Sequence, residues 1–158
     1  MSPSASRHSR GFTLMELMIA VVVAGILAAV AYPSYTSFIA RGRRADAMAA
    51  LTSVVQAQER YRSNRTTYAS STGSGGLDME RQLAAVSKYY DVSLEGIGES
   101  LSFTNGYVAV AKPKRGSPQD GDKNCQILRV KLEGAIFKYM SADGSDNDTT
   151  ATENCWGR

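Results

Sequence analysis

Residues 10–17 of this chain read RGFTLMEL, and they lead into an unbroken apolar run of sixteen residues, 17–32. A short basic tract and Gly11 precede the run. Glu16 is the only charge among the 29 residues 12–40. Because hydrocarbon excludes charge, a carboxylate at the start of such a helix indicates a functional residue.

Two ordinary kinds of segment match this stretch in part. A secretory signal peptide has a basic head, an apolar run of about 7–15 residues and a small-residue cleavage site. Ala28, Ala29 and Ala31 could supply that site, but no turn cluster follows them. A plain membrane anchor needs about 20 apolar residues. Such an anchor gains nothing from Glu16, since a charge costs about 2.5–3.5 kcal/mol at the membrane centre.

The same residues resemble the class III leader and N-terminal helix of type IV pilins. The likeness consists of a basic leader ending in Gly11, then Phe12, then Glu16, then an apolar helix that contains Gly25 and Pro33. It implies that a prepilin peptidase cleaves between Gly11 and Phe12 and methylates the new amine of Phe12. It also implies that Glu16 serves filament assembly.

Physical reasoning supports a pairing role for Glu16. The new amine of Phe12 and the carboxylate of Glu16 are both costly to leave unpaired in lipid. Each could meet its opposite on a neighbouring subunit. Since they are four residues apart, about one helical turn, they could also pair within one chain.

One long helix is predicted for residues 12 to about 63, with Gly25 and Pro33 as its points of flexibility. Residues 1–11 form the leader that is removed, and residues 12–40 form the transmembrane and filament-core half. Residues 41–63 form the amphipathic half. Its apolar residues at helical spacing, expected to face the soluble part, are Met48, Leu51, Val55 and Tyr61. The arginines expected to form a charge collar beyond the membrane are Arg41, Arg43 and Arg44.

Residues 64–158 are expected to form a globular head. The composition predicts a loop at 69–76, some helix at 77–87 and another loop at 112–118. The four predicted strands are 89–94, 106–111, 126–132 and 135–140, with Glu133-Gly134 as a hairpin turn. The fold class is therefore α+β. It is the pilin fold, a long N-terminal helix packed on a small antiparallel sheet with a disulfide-bounded C-terminal region.

Charge and cysteine content narrow the function. The chain has 18 basic and 15 acidic residues, a net charge of +3 that falls to +1 without the leader, so bulk charge does not indicate nucleic-acid binding. Positive charge before the apolar run predicts a single-pass protein of the bacterial inner membrane, with its C-terminus in the periplasm, before it joins an extracellular pilus. In an exported domain Cys125 and Cys155 are expected to form a disulfide, the alternative being two buried thiols.

The chain lacks the side chains that most enzymes need. Its only histidine, His8, lies in the leader, so histidine-based triads and zinc sites are excluded from the mature chain. Asp120, Asp122 and Asn124 imitate a calcium loop, but Cys125 stands where that loop requires glycine. We therefore expect no enzyme activity, no cofactor, no metal and no small-molecule substrate.

The leading hypothesis is a structural and assembly subunit of a type IV pilus that polymerises through its N-terminal helix. The cysteine spacing and the Cys155-Trp156 ending resemble PilE-like minor pilins, which favours a minor subunit. The expected partners are other pilin subunits, in a homo- or heteropolymer, the inner membrane before assembly and the prepilin peptidase.

Two alternatives remain open. The protein could be a receptor pilin for DNA uptake, with DNA contacts from Lys112, Lys114 and Arg115, although a solvated loop is the simpler explanation of these cations. It could also be a pseudopilin of type II secretion, which would share the architecture.

Overall fold

The computed structural model describes residues 12–122, 125–142, 149–150 and 155–156. In chain order, its elements are α1 (Leu14–Arg62), α2 (Glu80–Leu83), a 3-10 turn (Val86–Lys88), β1 (Tyr90–Glu95), β2 (Gly106–Pro113), β3 (Ile127–Glu133), β4 (Ile136–Ala142) and β5 (Thr149–Thr150). The chain divides between Phe38 and Ile39 into two compact units. A long helix followed by an antiparallel sheet confirms the predicted α+β pilin fold.

The first unit contains the apolar part of α1, and every side chain from residue 12 to residue 38 is exposed. Within the described residues, one helix is long and apolar enough to cross a membrane. Its most apolar window has a mean hydropathy of 2.6 and is not buried within the protein. The helix continues through Gly25 and Pro33, although Pro33 has no N–H to offer the carbonyl of Ala29. The predicted flexibility of this segment stays a prediction.

The second unit, the head, forms its core between α1 and the sheet. The buried α1 residues follow helical spacing and are mostly small: Ala47, Ala50, Leu51, Val54 and Ala57. They share one apolar cluster with the sheet residues Tyr107, Ala109, Ala111, Leu128, Val130 and Leu132. Of the residues predicted to face this core, Leu51 is fully buried, Met48 and Val55 pack against it, and Tyr61 is half-buried.

The described strands form an antiparallel sheet in the order β1-β2-β3-β4-β5. Glu133 pairs with Ile136, which leaves two residues for the β3–β4 turn. Gly134 stands first of these two with a φ of 63°, the position where a type II′ turn requires glycine. The predicted hairpin is confirmed, but its turn is Gly134-Ala135, one residue later than the predicted Glu133-Gly134.

Two details of the strand prediction are wrong. Lys112 and Pro113 belong to β2 and not to a loop, because a strand end tolerates proline where no further ladder bond is needed. The two-residue strand β5 was not predicted. It pairs only with Met140 and Ser141 of β4, and so short a segment carries no alternation in the sequence.

The predicted disulfide between Cys125 and Cys155 is confirmed, and both residues are buried in the main apolar cluster. Trp156 extends this anchor. Its indole nitrogen donates to the carbonyl oxygen of Met140 at 2.9 Å, and its ring meets that of Tyr139 edge-on at 5.1 Å. The bond and the indole together hold residues 155–156 against β3 and β4.

Candidate functional site

Thr13 and Glu16 form a reciprocal hydrogen-bonded cap at the start of α1. The backbone nitrogen and the hydroxyl of Thr13 donate to Oε2 of Glu16 at 3.0 and 2.9 Å. The backbone nitrogen of Glu16 donates to the Thr13 hydroxyl at 3.2 Å. This arrangement is a capping box, which the T-x-x-E pattern of residues 13–16 encodes and the sequence analysis missed. The Glu16 carboxylate therefore has a local partner, and any partner on another subunit must compete with it.

The other predicted residues of the N-terminal segment are exposed or lie outside the described residues. Gly11 lies outside them, so the structure describes only one side of the predicted cleavage site. The side chain of Phe12 is 89% exposed. A Cβ atom built on Gly25 meets nothing within 4 Å, so close packing against the described residues does not explain that glycine.

The three cations proposed to contact DNA lie at the end of β2 and in the turn after it. Lys112 is exposed on β2 and stands opposite Asp91 of β1. The ammonium of Lys114 lies 3.5 Å from the Asp91 carboxylate, and Arg115 is exposed in the turn. A surface pair of this kind is weak, so Asp91 only partly offsets the positive charge.

A second group of cations lies on the sheet face opposite α1. Because side chains alternate along a strand, Arg129 and Lys131 of β3 point away from the core that Leu128, Val130 and Leu132 form. Lys131 stands directly opposite Lys138 of β4. Like charges in opposed positions oppose sheet pairing, and the ammonium of Lys131 lies 3.0 Å from the Glu133 carboxylate.

The sequence analysis missed this group of cations, although two signals in the sequence encode it. The alternation of β3 assigns Arg129 and Lys131 to one face, and a two-residue turn centred after Glu133 fixes the register that brings Lys138 to Lys131. We call Arg129, Lys131 and Lys138 the outer-face cations. Lys112 points to the same side, because Val110, two residues before it in β2, stands opposite Arg129 of β3. Asp91 of β1, which stands opposite Lys112, lies on that face as well.

A cleft of about 490 Å³ opens at the end of the sheet that carries the β3–β4 turn. Its lining mixes one guanidinium, one carboxylate and several neutral groups: Arg62, Tyr68, Ile97, Thr104, Asn105, Glu133 and Gly134. The guanidinium lies 5.4 Å from the ring centre of Tyr68 and donates to the carbonyl oxygen of Arg65 at 2.7 Å. The Arg62 guanidinium therefore already has partners within the chain.

The residues of the calcium-like pattern serve structural contacts. Asp122 pairs with Arg44 at 2.7 Å, and the Asp120 carboxylate accepts from the backbone nitrogen of Gly116 at 3.1 Å. Asn124 lies outside the described residues. Across the part of the chain that the structure describes, no three His, Cys, Asp or Glu side chains gather as a metal site would require.

Comparison with known proteins identifies the family. A family model described as "Type IV minor pilin ComP, DNA uptake sequence receptor" matches residues 33–129. The chain belongs to this type IV minor pilin family. A second model, the prokaryotic N-terminal methylation motif, matches residues 6–32. The type IV pilin prediction is confirmed, and the match is consistent with a minor subunit.

The chain is also similar to individual pilus proteins. It is 27% identical to a fimbrial protein of Neisseria meningitidis over 146 residues, 92% of this chain and 80% of that protein. It is 36% identical to the type IV major pilin protein PilE1 of Neisseria gonorrhoeae over 144 residues, 91% of this chain and 63% of that protein. The match to the type IV major pilin protein PilA of Myxococcus xanthus is 40% identical and spans 34% of that protein's length. No solved structure matches this chain.

Proposed function

We propose that this protein is a minor subunit of a type IV pilus whose head binds DNA through the outer-face cations. The observation that carries the DNA-binding part is the direct opposition of Lys131 and Lys138, with Arg129 on the same face. A phosphate backbone neutralises such a group, and lysine and arginine contacts to phosphates supply most of the affinity for DNA. The family description, a DNA uptake sequence receptor, supports the same partner.

Successive segments of the chain are proposed to serve processing, membrane anchoring with filament assembly, and the head. Residues 1–11 are a leader that a prepilin peptidase removes between Gly11 and Phe12, with methylation of the Phe12 amine. Residues 12–40 hold the subunit in the inner membrane, with the C-terminus in the periplasm, and then form the filament core. Residues 41–63 are the amphipathic half of the same helix, which packs in the head together with the globular part, 64–158. The match to the methylation motif supports this processing.

Assembly is proposed to use Glu16 as the carboxylate that pairs with the freed amine of Phe12 on an adjoining subunit. Exchange of lipid for other apolar helices gains little hydrophobic energy, so a specific pair must select the register. Gly25 and Pro33 are proposed to let the helix change shape on assembly. The chemistry of the chain gives no support to an enzymatic role or a cofactor, and the pilus and fimbrial relatives favour a pilus over a type II secretion pseudopilus.

A titration of duplex DNA tests the binding role. The full chain in neutral-lipid nanodiscs is titrated with a labelled duplex at several salt concentrations, as wild type and as Lys131→Gln/Lys138→Gln. Loss of two phosphate contacts is expected to weaken binding and to reduce the slope of log affinity against log salt by about 2. The matched control is Arg60→Gln/Arg65→Gln, which removes the same charge at the end of α1.

The control should bind like the wild type. Failure of the wild type to bind duplex DNA, or equal losses in the two double variants, would remove the DNA-binding part. The assembly part would stand, because it depends on residues 12–40.

A further inference from the structure

Contacts of Tyr89 join three parts of the chain that carry five cations, close in sequence to the first turns of α1 in the head. DNA binding by the sheet face leaves these cations unexplained. They come from three separate parts of the chain, and we call them the basic cluster: Arg41, Arg43, Lys88, Lys114 and Arg115. Arg41, Lys88 and Arg115 are exposed, while Arg43 and Lys114 are half-buried.

Tyr89 brings two parts of the cluster together. The guanidinium of Arg43 lies 4.4 Å from the centre of the Tyr89 ring, at cation–π distance. The carbonyl oxygen of Tyr89 accepts from the backbone nitrogen of Lys114 at 2.9 Å and from the hydroxyl of Ser117 at 3.3 Å. Since Lys88 directly precedes Tyr89, one residue positions cations from α1, the 3-10 turn and the turn after β2.

A buried polar contact then fixes the turn after β2 to α1. The side-chain nitrogen of Gln119, a fully buried residue, donates to the carbonyl oxygen of Ala40 at 3.3 Å and to Asp122 at 2.9 Å. The ion pair between Arg44 and Asp122 is almost completely buried, with side chains 12% and 9% exposed. The cluster is therefore preorganised and needs little ordering to bind.

The cluster keeps a positive balance after its acidic neighbours are counted. Asp91 pairs loosely with Lys114 at 3.5 Å, and the side chains of Lys114 and Asp91 are 42% and 68% exposed. Asp120 is turned toward the Gly116 backbone, and Asp46 is exposed on α1. Five cations against these three carboxylates leave an excess of two positive charges on a surface that faces water.

The position of the cluster in the chain points to its partner. Ala40 and Arg41 follow within three residues of Phe38, the last large exposed residue of the apolar segment. Aromatic residues typical of a membrane interface, Tyr32 and Tyr35, precede it. When this segment spans a bilayer, the arginines at 41 and 43 cannot enter hydrocarbon, so the residues fixed to this turn of α1 lie at the level of the lipid headgroups.

We propose that the basic cluster binds the phosphate headgroups of anionic phospholipids while the subunit is in the membrane, so that the head rests on the bilayer before assembly. The inference rests on the proposed membrane-anchored state and is independent of DNA binding by the outer-face cations. Each Lys or Arg near an anionic surface shifts such an equilibrium by about fivefold. Incorporation into a filament then requires the cluster to leave the lipid.

Hydrogen exchange of the full chain in nanodiscs tests the proposal. Amide exchange in residues 114–118 is compared in phosphatidylcholine nanodiscs and in nanodiscs that also contain phosphatidylglycerol. Exchange is expected to slow several-fold with the anionic lipid. It should recover at about 1 M salt, where the Debye length is about 3 Å.

Three variants make the test specific. Lys114→Gln/Arg115→Gln should weaken the equilibrium for headgroup binding by about 25-fold, or fivefold for each charge, and so abolish the lipid-dependent protection. The charge-preserving Lys114→Arg/Arg115→Lys should retain it, and Arg60→Gln/Arg65→Gln should leave it unchanged. Equal exchange in the two lipid compositions overturns the proposal, as does equal loss in both neutralised variants. Protection of 114–118 by added duplex DNA in neutral nanodiscs, without any response to phosphatidylglycerol, would assign these cations to DNA instead.

Discussion

The two units of this chain satisfy their side chains in opposite ways. Residues 12–38 expose every apolar side chain and contain one carboxylate, whereas the head buries a core of apolar residues and pairs Gln58 and the Arg44–Asp122 ions internally. We propose that the partners of the apolar side chains of the first unit are lipid or other subunits. Those of the second lie within it. Substitutions in the head should consequently change its free energy of unfolding, whereas substitutions in residues 12–38 should change assembly and not that free energy.

The largest expected difference concerns two leucines. Leu51 is fully buried and Leu27 is 65% exposed. Leu51→Ala should lower the free energy of unfolding of the head by about 2–5 kcal/mol, because it leaves a cavity in the core. Leu27→Ala should leave that free energy unchanged. Denaturant unfolding of the detergent-solubilised full chain, followed by near-ultraviolet circular dichroism, measures both. A similar loss from both variants would contradict the division into independent units.

A smaller difference is expected between two glutamines on α1. The buried Gln58 amide donates to the carbonyl oxygen of Ala69 at 2.8 Å and accepts from its nitrogen at 2.9 Å. Gln58→Ala leaves both backbone groups buried and unpaired, which should cost about 1–3 kcal/mol for each group that water cannot reach. Gln56 is exposed, and Gln56→Ala should be neutral in the same unfolding measurement. Equal free energies of unfolding for the two variants would show that water replaces the two hydrogen bonds between Gln58 and Ala69.

The smallest effect on the free energy of unfolding at neutral pH is expected from a change at the buried Tyr90. Burial, helped by the Asp122 carboxylate, raises the pKa of Tyr90 from 10.0 to about 12, and burial also raises the pKa of Tyr107. Because the unfolded chain loses these protons first, stability is fully present below the unfolded pKa and falls as pH rises toward the folded one. Unfolding measured between neutral pH and pH 12 should show this loss. Tyr90→Phe should reduce its slope, and an unchanged slope would refute the assignment.

Local patterns made most of the fold predictable. The apolar run, the helical spacing after residue 41 and the β3–β4 hairpin depend on neighbours in sequence. The structure has the long helix as the sequence predicts and the hairpin turn one residue later. Export and an even pair of cysteines led correctly to the Cys125–Cys155 bond. The T-x-x-E cap of residues 13–16 was equally readable and was overlooked because Glu16 had already received a functional explanation.

Long-range contacts set the limit of prediction. Arg44 and Asp122 are 78 residues apart in the chain, and Gln119 reaches a backbone carbonyl 79 residues away. The residues next to Arg44, Asp122 and Gln119 in the sequence do not indicate these distant partners. The basic cluster likewise exists only because Tyr89 joins three distant segments. The sequence therefore indicated which residues are charged but not which of them share a surface.

We propose that Glu16 serves another subunit beyond its role as a helix cap. Glu16→Gln keeps an oxygen that can complete the capping box and loses the charge, whereas Thr13→Ala removes the cap partner and keeps the carboxylate. The measurement is the amount of each variant in sheared pili relative to the processed subunit left in the membrane. The account predicts that Glu16→Gln is processed but absent from pili and that Thr13→Ala is incorporated. Normal incorporation of Glu16→Gln, or exclusion of Thr13→Ala alone, would contradict it.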